Sequence, residues 1–163
     1  MATWNGIRNK LENDYLAECL RGRIRYFATT YRESHDQEGR AAILLDGEEL
    51  ISGGYYKNWT AAHLFPKDEK YEKRTRQEFA FIDNTALKLG VFDQRCFYRA
   101  FNEFDNQSIE ENLKSGDLIV RVFAILDRRI GKRRLIAMKD GISEEPEVFQ
   151  LFYEIRSNAE GLL

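Results

Sequence analysis

Cysteine is scarce in this chain. Cys19 and Cys96 stand 77 residues apart, which gives neither a secreted disulfide framework nor a zinc-ligand pattern. Histidine is equally scarce, with His35 and His63 alone. Pro66 and Pro146 are the only prolines, so long helices are permitted. No apolar run approaches the roughly 18–20 residues that span a bilayer, and no apolar signal segment follows Met1. There is no excess of one charge: 25 basic residues face 27 acidic ones, a net charge of −2, which excludes a generic polyanion binder. H-E-x-x-H, the P-loop, G-x-G-x-x-G and G-x-S-x-G are all missing, and no cofactor is expected. These absences predict a cytoplasmic protein with reduced thiols and no membrane association.

What is present is a globular composition, 43% hydrophobic with 11 Phe and 8 Tyr, in a length that suits one domain over 1–163. Trp4, Ile7, Leu11, Tyr15 and Cys19 repeat at helical steps, with Thr3 or Asn5 as cap and Gly22 as the left-handed stop. The period then shortens. "RIRYFATTYR" (23–32), "RAAILL" (40–45) and "EELISG" (48–53) read as strands, and Asp46-Gly47 between the last two is a tight-turn signal. "ISGGY" (51–55) predicts a bulge or bend. From residue 57 the chain turns helical: a short helix to Pro66, a stripe over 79–89, a helix around 97–104, and a Ser108/Glu111 capping box. Further helices are expected over 118–130, capped by Asp117, and from Pro146, burying Val148, Leu151, Phe152 and Ile155. The expected fold class is α+β: an N-terminal helix, a three-stranded antiparallel β-meander, and a largely helical C-terminal half packed on the sheet.

Two stretches carry candidate chemistry. "ILDRRIGKRRL" (125–135) sets Arg128, Arg129, Lys132, Arg133 and Arg134 around Gly131. They could form an anion-binding patch, or pair with carboxylates nearby in sequence: Asp127, Asp140, Glu144, Glu145 and Glu147. The loop "YRESHDQEGR" (31–40) brings Arg32, His35, Asp36 and Arg40 within nine positions. His35 and Asp36 have the residue types of an acid/base pair, but Ser and Asp also serve backbone turns. The element order is that of a double-stranded-RNA-binding domain. Where that domain presents a lysine cluster, however, "YYKNWTAAHLF" offers Lys57 alone.

The stretches 20–47, 126–135 and 151–162 together resemble an uncharacterised bacterial protein family. Its members read R-G-R-x-x-Y…S-x-D-x-x-G-R, then L-D-R-R-x-G-K-R-x-L, then a Y-x-l-R-x-x-A-E-G ending. The resemblance implies no activity, cofactor or catalytic residue. It does tie the loop and the basic segment to one protein type. The expected function is a non-catalytic binding protein with a local basic surface. Arg128, Arg129, Lys132, Arg133 and Arg134 would form it, joined by Arg32, His35 and Arg40 if the two segments meet. The ligand would be an acidic protein partner or a nucleic acid. The alternatives are an enzyme acting on a phosphorylated substrate or nucleic acid through His35 and Asp36, and an immunity-type or regulatory interaction module.

Overall fold

The computed structural model describes residues 3–30, 39–54, 87 and 92–163. Its elements are α1 (Trp4–Asn9), β1 (Ile24–Thr30), β2 (Gly39–Leu45), β3 (Glu48–Gly54), α2 (Gln94–Asp105), α3 (Ile109–Leu113), α4 (Leu118–Ile125), α5 (Lys132–Met138) and α6 (Glu147–Ala159). This is the α+β architecture that the periodicities predict. The helices expected at 57–65 and 79–89 lie outside the described residues, apart from Leu87, which is buried. None of the described helices is long and apolar enough to cross a membrane.

The sheet is an antiparallel meander in the order β1-β2-β3. Asp46 and Gly47 both hold positive φ (51° and 87°), as the tight hairpin turn requires. The bulge lies at Leu50 instead of at the glycines: Ile43 faces Ile51 but Leu44 faces Glu49, while Gly53 and Gly54 keep regular register with Ala41 and Arg40. Gly39 is needed for a different reason. A Cβ there would lie 2.1 Å from Gln94 Oε1 and 2.3 Å from the Thr29 carbonyl, so the strand passes the start of α2 too closely for any side chain. Alternation along β1 buries Ile24, Tyr26 and Ala28 and leaves Arg25 and Phe27 exposed. The buried face meets the helices at Phe123 of α4. Its ring packs edge-on to Tyr26 (5.5 Å), Phe97 (6.0 Å) and Phe104 (5.7 Å), joining the sheet to α2.

Three helical expectations are corrected. The N-terminal helix is capped by Thr3 but does not reach Leu20. It widens into a π-turn at Lys10–Asp14, with Tyr15 N–H donating to the Lys10 carbonyl (2.8 Å), and Leu16 and Ala17 leave the helix. This turn carries Glu12 to the free edge of β1. There it is buried, binds Arg25 Nη1 (2.8 Å) and takes a long contact from the Tyr26 amide (3.5 Å), covering an edge that would otherwise be open to pairing. The helix expected over 118–130 ends at Ile125. The last helix buries Val148, Phe149, Phe152, Tyr153 and Arg156, leaving Leu151 exposed, so its inner face is turned from the predicted one.

The predicted caps at Ser108 and Asp117 are present. Ser108 Oγ accepts from Glu111 N–H (3.2 Å) and Asp117 Oδ1 from Ile119 N–H (2.9 Å). Asp117 is buried, and the loss of water pushes its carboxyl up to about 6, even though the backbone bonds from Ile119 and Val120 and the charge of Arg99 act the other way. The folded chain therefore keeps a proton that the unfolded chain has released between about pH 4 and pH 6. Stability from this group is full below that window and falls through it as pH rises, by at most about 3 kcal/mol. Asp117→Asn keeps an oxygen for the cap and removes the titration. Urea unfolding at a series of pH values is expected to show the variant gaining on the native chain from pH 4 to 7; a constant difference would contradict the assignment.

Candidate anion-binding surface

The basic segment begins where α4 is stopped. Leu16 and Asp127 form an isolated antiparallel bridge: Ala17 N–H donates to the Leu126 carbonyl (3.0 Å) and Arg128 N–H to the Tyr15 carbonyl (2.7 Å). A second clamp comes from the far end of the chain. The Arg156 side chain, 2% exposed, donates from Nη1 to the carbonyls of Ile125 (3.1 Å) and Asp127 (2.8 Å) and from Nη2 to that of Ile130. Its Nε binds Glu160 (3.0 Å), one turn on. A helix end leaves carbonyls without intrahelical partners, and a buried carbonyl needs one. Arg156 supplies them together. Burial opposes ionisation of Glu160, but hydrogen bonds from Cys19 and Arg156 outweigh it and hold its carboxyl below the ordinary range.

Two of the five cations are absorbed by the fold. Asp127, fully buried, accepts from the Arg129 backbone N–H (2.7 Å) and grips its guanidinium at Nε (3.0 Å) and Nη2 (2.8 Å). That guanidinium covers the rings of Tyr15 (5.1 Å) and Phe104 (5.7 Å). Tyr15 in turn donates to Asp105; burial and that carboxylate push its hydroxyl up to about 12. Arg134 binds Glu110 of α3 through both terminal nitrogens, and the contact holds the Glu110 carboxyl below its usual range. Both partners are half-exposed, so this pair orients more than it stabilises.

The other three, Arg128, Lys132 and Arg133, are exposed and make no side-chain hydrogen bond or ion pair with the described residues. Lys132 reaches Glu160 only as a through-space charge. Of the carboxylates nearby in sequence, Asp127 is held by Arg129, and Glu145 goes to Arg121 (2.6 Å). Gly131 is the cap residue of α5. Its backbone is extended (φ −92°), nothing would touch an added Cβ within 4 Å, and it gives α5 no capping side chain.

Arg40 stands apart. It lies back along the outer face of the sheet, over Phe27 (5.4 Å) to Glu49. Its neighbour Gly39 abuts Gln94 at the start of α2, whereas Arg129 covers Phe104 near that helix's end. Ten residues of helix, about 15 Å, separate those points. Arg32, His35 and Asp36 lie outside the described residues. Among the described residues no group of His, Cys, Asp and Glu could hold a metal ion. Among the described residues that line a cleft of about 450 Å³ between β3 and α6, Glu147 is the only ionisable one and none is a cation.

A model of the SF0329 protein family matches residues 3–157. The chain belongs to this family. No curated protein and no solved structure matches it. The matched span takes in the basic segment and Arg156, residues that the fold brings together from stretches 26 to 31 positions apart. Arg156 is a positioning residue absent from the sequence expectations, although a signal for it exists. It continues the spacing Phe149, Phe152, Tyr153 along the buried face of α6, where a charge demands partners.

Arg156→Leu strands three carbonyls and Glu160. It is expected to lower unfolding free energy by about 3 kcal/mol or more in urea titration. A loss below about 1 kcal/mol would mean that water replaces the guanidinium and that the clamp is not needed.

Proposed function

We propose that this chain is a non-catalytic binding protein whose surface at Arg128, Lys132 and Arg133 receives an anionic ligand or an acidic partner. The observation that carries the reading is the division among five adjacent cations. Arg129 and Arg134 are neutralised by Asp127 and Glu110, while the three between and beside them extend from a backbone fixed by buried bonds. The placement of Lys132 and Arg133 runs against the local electrostatics of the helix. Lys132 and Arg133 occupy the first turn of α5, where the peptide dipoles favour acidic side chains, and no acidic residue is present there. A cation held in place without an internal partner is preorganised for an external one. Arg129 and Arg134 then act as positioning residues, and Arg40 belongs to the sheet.

Fluorescent polyglutamate and a short single-stranded DNA at low salt test this. The triple variant Arg128→Gln, Lys132→Gln, Arg133→Gln is expected to bind at least about tenfold more weakly, with a shallower salt dependence. Arg40→Gln should leave binding unchanged. Equal binding by the triple variant, or no binding by the native chain, would contradict the reading. Gly131→Asp separates the surface from the fold. It adds a capping side chain, so thermal stability should rise by a few tenths of a kcal/mol, while the new charge among the three cations should weaken polyglutamate binding. A change of both in the same direction would count against the assignment.

A further inference from the structure

Helix α5 carries a second feature that the basic surface alone leaves unexplained. Leu135 is fully buried, and the Tyr153 hydroxyl donates to its carbonyl (2.6 Å), so the inner side of the helix is pinned to α6. The next residue, Ile136, points the other way and is 60% exposed. Positions three and four apart share a helix face, so Ile136 lies beside Arg133 and Lys132, with Ala137 also exposed next to it. Lys139 follows three residues on, also exposed, with Asp140 beyond it. The outer face of α5, continued by Lys139 just past its end, thus reads as an apolar side chain between cations on two successive turns.

We propose that this face docks a protein partner through an acidic segment that carries an apolar side chain. The inference rests on the basic-surface reading and adds the kind of partner. Isolated exposed apolar residues are ordinary on protein surfaces. Here the isoleucine sits among cations that make no side-chain hydrogen bond or ion pair with the described residues, on a short helix whose cap residue carries no side chain to obstruct approach. Charge complementarity calls for carboxylates opposite Lys132 and Arg133. Ile136 calls for an apolar residue between them, which a nucleic-acid backbone does not supply. Helix-face recognition of this kind takes its specificity from the apolar anchor and its association rate from the surrounding charges.

The test is selection of a displayed library of random short peptides on the immobilised full chain. Its controls are the native chain's self-association in sedimentation and its binding of short single-stranded and duplex DNA. The enriched peptides should combine Asp or Glu with Leu, Ile, Val or Phe. As synthetic peptides, they should bind Ile136→Ser and the triple glutamine variant at least about tenfold more weakly. Replacing the apolar peptide residue by Ser should cost as much. Ile136 is exposed, so matched melting curves will show Ile136→Ser to be folded. Acidic peptides that bind Ile136→Ser undiminished overturn the partner while leaving the basic surface standing. So does DNA binding through the three cations with no peptide enriched. Self-association abolished by Ile136→Ser overturns it in favour of a second copy. If the triple variant alters none of these interactions, the basic-surface reading falls as well.

Discussion

The guanidinium of Arg156 is the point on which the rest of this structure depends. It reaches from the final helix into the core and closes the end of α4, where carbonyls would otherwise be buried without donors. Four of its five N–H groups have acceptors, three of them backbone and one a carboxylate. A buried charge is costly unless it is bonded in this way. Once it is, the chain between Ile125 and Ile130 has one conformation, because each of its ends and its middle is tied to the same side chain. The Leu16–Asp127 bridge then fixes that turn to the N-terminal segment, so both ends of the sequence converge on one loop.

That convergence explains why an acidic chain can carry a dense basic segment. Asp127, buried beneath the turn, takes Arg129 and lays it over Tyr15 and Phe104. Glu110 takes Arg134. The segment from 128 to 134 is thus two structural arginines and three outward cations. The net charge of the chain says nothing about that division, because it depends on which carboxylates tertiary packing delivers. Glu110 comes from a helix 24 residues earlier, while Glu145, closer in sequence, is committed to Arg121.

Local patterns in the sequence were sufficient wherever local physics decides. The strands follow from β-branched and aromatic alternation, the hairpin from Asp46-Gly47, and the helix starts from Thr3, Ser108 and Asp117. The misses share a cause in long-range contacts. Periodicity alone extends the first helix through Cys19, but Leu16 leaves it to pair with Asp127, and the π-turn supplies the change of direction. It extends α4 to Ile130, but Arg156, a tertiary donor, takes the carbonyls of Ile125, Asp127 and Ile130. Periodicity turns the buried face of α6 because a charged residue does not count as a core position in it. For the surface, the residue cluster was legible and its inner division was not. The separation of Arg40 from it follows from strand register and helix length, which no sequence spacing reports.

Arg156 fixes the turn from which the outward cations project. Residue-resolved amide hydrogen exchange of Arg156→Lys against the native chain tests it most directly. Lysine keeps the charge but lacks the planar fork that spans three carbonyls. Faster exchange is expected, confined to about residues 126–135, with α2 and the β-meander unchanged. Uniform acceleration across the chain, or protection of the turn equal to the native protein's, would contradict it.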